Sequence, residues 1–316
     1  MLLFWLFGGL LTCALPVLFI ALICFIRVFY SPSRKMPQED EYSLPDGDIY
    51  EPHRDELIGW MKAARKGPYE EMSVTAFDGL TLRGKYYEYR AGAPVEILFH
   101  GYRGDGERDL SAGIERCFAL GRNALIVNQR ASSNSDGHVI TFGINERRDC
   151  LAWVDHVIRR FGDNVEIILA GVSMGAATVM MAAAEELPKN ILYVLADCGY
   201  SSAREIICKI IGEMHLPPKL LYPLVKLGAR IFGRFDLDET SPMEAMKKSR
   251  VPVIFIHGDT DAFVPHEMSC RLYEACVTHK RLVTIHGAGH GLAYPIDKQL
   301  YLHSLTEFTD EIKKTH

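Results

Sequence analysis

Short apolar segments alternate with longer stretches of helical periodicity from residue 72 to the C-terminus. The apolar segments predict eight strands, at residues 73–77, 80–89, 95–99, 124–128, 165–170, 191–196, 251–256 and 282–285. The periodic stretches predict helices at residues 109–120, 146–161, 174–186, 266–278 and 298–313. The first two strands flank Asp78-Gly79, a strong hairpin signal. A hairpin followed by strand–helix alternation predicts an α/β fold with a mostly parallel, doubly wound eight-stranded sheet and helices on both faces.

The N-terminus has a different pattern, because residues 2–26 are apolar and contain no charge. This stretch exceeds the roughly 20 residues that cross a bilayer core. No basic residue precedes Arg27, which argues against a cleaved signal peptide. We therefore predict a transmembrane anchor over residues 1–30 and a single-pass membrane protein. Arg27, Arg34 and Lys35 flank its C-terminal end, and this bias places the following domain in the cytoplasm.

The remaining chain divides by composition. Residues 31–50 are rich in Pro, Ser and acidic residues and are predicted to form a solvated linker. Residues 51–316 form the predicted α/β domain, interrupted by an insertion at about residues 200–250. Leucine, valine and isoleucine residues give part of this insertion an apolar face. We interpret this face as a helix packed over the pocket, and the alternative is a lid that admits acyl chains or touches a membrane.

Composition excludes several classes of function. The 316 residues carry a net charge of −5, which argues against a nucleic-acid partner. The eight cysteines include no Cys-x-x-Cys pair and no zinc-type cluster with histidine, so neither a metal nor a cofactor is expected. The scattered cysteines are interpreted as buried free thiols.

One motif indicates the chemistry. Gly171-Val172-Ser173-Met174-Gly175 stands between an apolar strand and a helix-forming Ala/Met stretch. Strand, Gly-x-Ser-x-Gly and helix in this order are typical of the nucleophile elbow of a serine hydrolase. The serine occupies a strained turn there, and the residues two before and two after it face each other too closely for side chains. Ser173 is therefore the candidate nucleophile.

A serine nucleophile needs a base and an acid, which follow it along the chain in this architecture. His290, within Gly289-His290-Gly291 after the last strand, is the candidate base, and His286 and His303 are weaker alternatives. Three acids end predicted strands and could orient the imidazole: Asp197, Asp259 and Asp261. Spacing alone does not choose among them.

The oxyanion of the reaction needs backbone donors. The N–H of Met174 lies at the start of the helix after the serine, where the helix dipole also helps. The second donor is predicted to be the N–H of Tyr102, in the glycine-containing loop after the 95–99 strand. His100, at the end of that strand, is interpreted as an organiser of the loop rather than as a base.

Together these motifs resemble the α/β-hydrolase superfamily, and within it the membrane-anchored bacterial hydrolases grouped with serine aminopeptidase-like proteins. The resemblance runs from about residue 72 to the C-terminus. It implies an α/β-hydrolase fold with a small helical cap. The family pattern His-Gly-x-x-Asp-x-x-Val-Pro matches residues 257–265, and this match implies Asp261 as the triad acid. The family's Gly-His-Gly and His-Gly-Tyr match the His290 and Tyr102 segments.

One loop departs from the resemblance. Similar proteins have Arg-x-His-Gly-x-Ser after the fourth strand, whereas this chain reads Arg-Ala-Ser-Ser-Asn-Ser at 130–135. The loop shapes the mouth of the pocket, so the difference bears on substrate preference. The expected function is hydrolysis of small-molecule carboxylic esters through an acyl-serine. An aminopeptidase, a lipase or a thioesterase would use the same triad, and the opposing hypothesis is a non-catalytic binding scaffold.

Overall fold

The structure is a computed structural model that describes residues 2–32 and 41–315, with side chains described for 14–32 and 41–314. Residues 33–40 of the predicted linker, with Arg34 and Lys35, lie outside the described residues. The strands are β1 (Glu70–Thr75), β2 (Thr81–Tyr87), β3 (Val95–Phe99), β4 (Asn123–Asn128), β5 (Ile167–Val172), β6 (Ile191–Asp197), β7 (Val253–Gly258) and β8 (Lys280–Ile285). The α-helices are α1 (Leu2–Val28), α2 (Arg54–Lys66), α3 (Gly106–Ala119), α4 (Glu146–Phe161), α5 (Met174–Ala182), α6 (Ala203–Glu213), α7 (Pro218–Gly228), α8 (Pro242–Met246), α9 (His266–Ala275), α10 (Ala293–Ile296) and α11 (Lys298–Thr315).

The eight strands form one sheet in the order β1-β2-β4-β3-β5-β6-β7-β8. The β1–β2 and β2–β4 pairs are antiparallel, and every pair from β4–β3 to β7–β8 is parallel. The prediction of a mostly parallel, eight-stranded α/β sheet is confirmed. Because the carboxyl ends of the parallel strands meet at one edge, the loops after β3, β5, β6, β7 and β8 converge there.

Helices cover both faces of the sheet because side chains alternate along each strand. In β6, Val194 and Ala196 belong to one buried cluster, which includes α4, α5 and α9. Tyr193 and Leu195 belong to the opposite cluster, which includes α3 and α11. A strand buried on both faces has few polar positions, which explains why β3 is apolar except for Glu96.

The N-terminal segment corrects the sequence prediction. Within the described residues, no helix combines the length and apolar character needed to cross a membrane. The predicted transmembrane helix is therefore wrong, and so is the single-pass membrane location, together with the cytoplasmic orientation inferred from the flanking charges. One side of the end of α1 instead packs on protein, since Ala21 and Phe25 are buried, whereas Leu15, Phe19 and Ile23 are exposed. Phe29, just after α1, packs edge-on against Phe142 and Phe235.

The insertion between β6 and β7 holds α6, α7, a short π-helix at Ala229–Gly233, and α8. Helix α7 packs on α1 and α6. The contact with α1 is close at Gly228, where a Cβ atom would lie 2.4 Å from the carbonyl oxygen of Ala21. Among the described residues, none from 200–250 lines the main cavity. The apolar face that we interpreted as packing over the pocket therefore meets α1 instead.

Candidate active site

Ser173 lies in the turn between β5 and α5 with φ 57° and ψ −114°. This conformation is strained for a residue with a side chain. The two glycines of the motif explain why the turn is possible. A Cβ on Gly171 would lie 2.2 Å from the backbone of Gly175, and a Cβ on Gly175 would lie 1.9 Å from the carbonyl oxygen of Phe99. The turn therefore has the tight geometry that the sequence motif predicts.

His290 and Asp261 form a direct pair at the same edge of the sheet. The Nδ1 atom of His290 lies 2.7 Å from Oδ2 of Asp261. A carboxylate only accepts hydrogen bonds, so the neutral imidazole donates its Nδ1–H and keeps a lone pair on Nε2. This is the tautomer that a general base requires.

Four donors hold the Asp261 carboxylate. Its Oδ1 accepts the backbone N–H groups of Phe263 and Val264, at 2.9 and 2.8 Å. Its Oδ2 accepts His290 and the Nε2–H of His257, which lies 3.1 Å away. Burial favours the neutral acid, but the hydrogen bonds from His257 and His290 outweigh it and hold the pKa of Asp261 well below its usual range. The acid is therefore ionised and fixed in orientation.

The other candidate acids have different partners. Asp259 accepts hydrogen bonds from Nδ1 of His286 and from the backbone N–H of Gly287, both at 2.7 Å. Asp197 accepts the hydroxyl of Tyr301 at 2.8 Å. The fold therefore brings Asp261, rather than either of these acids, into hydrogen-bond contact with His290.

The alternative histidines lie away from the nucleophile. His286 is 86% exposed and pairs with Asp259. His303 is 65% exposed on α11 and pairs with Glu307 in the next turn. Neither lines the cavity that contains Ser173.

The two predicted oxyanion donors lie on either side of the nucleophile. Met174 is the first residue of α5, so its N–H is at a helix N-terminus. Tyr102 belongs to the loop after β3, and Gly101 of this loop approaches Ser173 so closely that an added Cβ would lie 3.7 Å from the serine Cβ. The loop is anchored by buried His100, whose Nε2 accepts the backbone N–H of Gln129 at 3.0 Å.

A cavity of about 670 Å³ opens at this edge, and its walls include Ser173, Tyr102 and His290. This is a usual volume for a small-molecule site. Residues 44–47, 49 and 50 also form part of its wall, so the end of the predicted linker lies against the cavity. The phenol of Tyr50 donates to the backbone carbonyl of His290 at 3.0 Å and supports the loop that carries the imidazole.

The sequence analysis missed three residues around Ser173, His290 and Asp261. Tyr50 was assigned to the linker, and His257 was noted only as part of a family pattern. Its position four residues before Asp261 was the available signal. Cys198 was grouped with the scattered thiols, yet its sulfur and ligand atoms of Asp261 and His290 lie within 4.8 Å of one another.

A cysteine, an aspartate and a histidine this close could in principle hold a metal ion. The thiol, however, is buried, and burial raises the pKa of Cys198 well above its usual value, which opposes the thiolate that a metal binds. Both oxygens of Asp261 already accept hydrogen bonds. The arrangement therefore suits proton transfer better than metal binding.

Comparisons with known proteins agree with this fold. Residues 145–299, which include Ser173, Asp261 and His290, match the family model described as serine hydrolase (FSH1). The esterase Pf2001 of Pyrococcus furiosus superimposes with a TM-score of 0.63 at 20% identity, over 87% of this chain and 99% of that one. Est1E from Butyrivibrio proteoclasticus, solved with ferulic acid bound, superimposes with a TM-score of 0.55 at 24% identity, over 77% and 97%.

The chain thus has the α/β-hydrolase fold, and its segment from 145 to 299 is similar to a family of serine hydrolases. Among individual sequences, it is 26% identical over 250 residues to the uncharacterized protein YqkD of Bacillus subtilis (strain 168), covering 77% of this chain and 82% of YqkD. These comparisons bear out the predicted α/β-hydrolase fold and the predicted similarity to serine hydrolases. They do not support the membrane-anchored, aminopeptidase-like part.

Proposed function

We propose that this protein hydrolyses carboxylic esters through a covalent acyl-serine intermediate, with Ser173, His290 and Asp261 as the catalytic triad. One observation carries the proposal. A serine in a strained elbow and an imidazole oriented by an ionised, fully hydrogen-bonded carboxylate line the same small-molecule cavity.

Acylation follows from the tautomer of the imidazole. Nε2 of His290 takes the hydroxyl proton as Oγ of Ser173 attacks the ester carbonyl carbon. The carbonyl oxygen becomes an oxyanion that accepts hydrogen bonds from the N–H groups of Tyr102 and Met174. His290 then gives the proton to the leaving alkoxide, and the alcohol departs. Asp261 stabilises the imidazolium while it exists.

Deacylation repeats these steps with water in place of the serine hydroxyl. His290 removes a proton from the water as its oxygen attacks the acyl carbon. The bond to Ser173 then breaks, and the serine recovers its proton from the imidazolium. No cofactor is needed at either stage, because every proton that moves is held by a residue of the site.

Esters are favoured as substrates for two reasons. Apolar side chains such as Leu98, Leu110 and Leu195 form much of the cavity wall, which suits an acyl chain. One structural neighbour, Pf2001 of Pyrococcus furiosus, is named an esterase. Aminopeptidase, lipase and thioesterase activities would use the same machinery, so a substrate panel separates them.

A fluorophosphonate probe tests the proposal. We expect the folded wild-type protein to be labelled and Ser173→Ala to lose the label. Ser111→Ala is the matched control, since Ser111 also lines the cavity but lies within α3. Labelling that survives in Ser173→Ala would refute Ser173 as the nucleophile. A wild-type protein that is folded but not labelled would favour the binding scaffold.

A second experiment addresses the substrate. Purified protein is assayed on 4-nitrophenyl esters, thioesters and aminoacyl amides with matched acyl groups. We expect the esters to be turned over fastest. Faster cleavage of the amides would overturn the ester proposal while leaving the triad in place.

A further inference from the structure

Two buried ionisable side chains line the cavity beside the proposed catalytic residues. Arg116 of α3 is 4% exposed, and Asp197 at the end of β6 is 5% exposed. Both belong to the wall of the 670 Å³ cavity. Neither has a role in the proposed triad, so their presence in a largely apolar wall needs another explanation.

Most of their polar atoms are held in one buried chain of contacts. The Nη2 of Arg116 donates to the carboxylate of Glu96, and its Nη1 lies 3.3 Å from the hydroxyl of Tyr301. That hydroxyl donates to Oδ2 of Asp197 at 2.8 Å. Arg122 also donates to Glu96, at 2.7 Å. The two cavity-lining groups are therefore fixed in position before any ligand arrives.

Two atoms of this chain are left without a partner. Within the described part of the protein, neither Nε of Arg116 nor Oδ1 of Asp197 makes a hydrogen bond, although both atoms are buried. One is an obligate donor, and the other is a carboxyl oxygen. Buried polar groups of this kind are normally satisfied, so the pair is suited to a ligand group that supplies one acceptor and one donor.

The position of Arg116 and Asp197 relative to Ser173 decides which part of a bound substrate reaches these two residues. The backbone N–H of Ser173 donates to the backbone carbonyl of Asp197 at 2.9 Å, so the two residues lie side by side at the strand ends. The leaving alcohol must escape to solvent after acylation, whereas the acyl part stays attached to the serine. A buried recess therefore suits the acyl part.

The charges around Arg116 and Asp197 decide which kind of ligand group would bind between them. Arg116 and Arg122 provide two positive charges, and Glu96 and Asp197 can provide two negative ones, so an added carboxylate or ammonium would lack a counter-ion. A hydroxyl is neutral, accepts from Nε–H and donates to Oδ1. Burial raises the pKa of Asp197, and protonation of this acid would leave one positive charge without a counter-ion, so the test below includes a carboxylate. A hydroxyl fits either form of Asp197, because it would accept from the protonated acid.

We propose that Arg116 and Asp197 form a hydroxyl-binding subsite, and that the preferred substrates are esters whose acyl chain carries a hydroxyl group. This inference rests on the proposed ester hydrolysis and adds the chemistry of the acyl chain. The alternative is a purely structural ion network with a trapped water, which would contain the same residues. That alternative predicts no preference for a hydroxylated acyl chain.

The test compares kcat/KM for 4-nitrophenyl esters of linear acids from four to ten carbons with their terminally hydroxylated counterparts. We expect the hydroxylated ester to be preferred at least about tenfold at the length that reaches the pair, because a site built to bind a hydroxyl discriminates against its absence. A ratio near one at every length would overturn the inference. A preference for a terminal carboxylate or ammonium would overturn the choice of a neutral group.

Two variants connect the preference to the subsite. Arg116→Lys keeps the positive charge beside Glu96 but removes Nε, and we expect it to lower the preference ratio at least about fivefold. Arg122→Lys makes the matched change on the other partner of Glu96, which does not line the cavity, and should keep the wild-type ratio. Equal ratios in the two variants would contradict the assignment.

Binding separates this inference from the proposed catalysis. Ser173→Ala is titrated calorimetrically with an alkanol and with the alkanediol of the same length, neither of which is a substrate. Tighter binding of the diol supports the subsite even if no ester is hydrolysed. If Ser173→Ala binds the alkanol and the diol equally well while the wild-type protein hydrolyses esters, the subsite is refuted and the proposed function stands.

Discussion

The most informative perturbation is His257→Leu, which changes the support of the acid without touching the triad. The side chain of His257 is 0% exposed. Its Nε2 lies 3.1 Å from Oδ2 of Asp261 and 2.9 Å from the carbonyl oxygen of Val264. A carbonyl can only accept, so Nε2 carries the proton. The imidazole is therefore a shared donor to the acid and to the loop that presents it.

The expected cost follows from these contacts. A hydrogen bond to a charged group contributes about 1.5–3 kcal/mol, and an unsatisfied buried carbonyl costs about 1–3 kcal/mol. We expect His257→Leu to lower the free energy of unfolding by about 3–5 kcal/mol, measured by denaturant titration. The effect on catalysis should fall mainly on kcat, because the residue acts by positioning Asp261 rather than by contacting substrate.

Two further variants make the experiment decisive. His257→Gln keeps an N–H donor and should recover part of both losses. His286→Leu removes a histidine from the exposed pair with Asp259 and should cost far less, since solvent screens that pair. Equal losses of stability in the two leucine variants would refute the reasoning. A large rise in KM with unchanged kcat in His257→Leu would refute the positioning role.

Four other substitutions have defined outcomes. Gly175→Ala would place a Cβ atom 1.9 Å from a β3 carbonyl oxygen and should abolish folding or activity, as seen in soluble yield and melting temperature. Gly59→Ala, within α2 with no atom near the added Cβ, should instead be neutral or stabilise by up to about 1 kcal/mol. Tyr102→Phe removes the 2.6 Å hydrogen bond from the phenol to the Val28 carbonyl and should lower the free energy of unfolding by about 1 kcal/mol. It should also speed proteolysis after α1, and an unchanged rate would contradict the role of this hydrogen bond. Asp261 has a folded pKa below that of the unfolded chain, so its stabilisation is complete above about pH 4 and is lost as the pH falls further. The difference in unfolding free energy between wild type and Asp261→Asn should therefore stay constant from neutral pH to about pH 4 and shrink at lower pH. A difference that stays constant down to pH 2 would contradict an ionised Asp261.

The elements that were predictable are those with strong local signals. The predicted limits of β3 and α4 coincide with the observed Val95–Phe99 and Glu146–Phe161. Other boundaries moved by a few residues, as with β1, where the observed Glu70–Thr75 starts and ends before the predicted 73–77. The elbow was also predictable. Its backbone segments approach so closely that glycine is required at positions 171 and 175, and this requirement appears in the sequence as the Gly-x-Ser-x-Gly motif.

The acid that pairs with His290 could not be predicted from local sequence signals. Asp197, Asp259 and Asp261 all lie at strand ends, and spacing along the chain does not say which one an imidazole from a different loop will meet. The family pattern implied Asp261, and in the fold Asp261 is the acid that contacts His290, while Asp259 turns to His286 and Asp197 to Tyr301.

The apolar N-terminal stretch is a second case in which the sequence alone does not identify a distant contact. Hydrophobicity records that a surface avoids water, but it does not record whether lipid or protein covers that surface. Phe25 and Phe29 bury their rings against the domain, a partner far away in the chain.

The amino-acid sequence by itself determined the strands, the helices α3, α4, α5, α9 and α11, and the strained turn at Ser173, because each depends on neighbours within a few residues. Only the tertiary structure decided the acid that orients His290, the surface that covers α1 and the meeting of Arg116 with Asp197 in one cavity. Each of these depends on contacts between segments far apart in the chain, which close only when the sheet brings its strand ends to one edge.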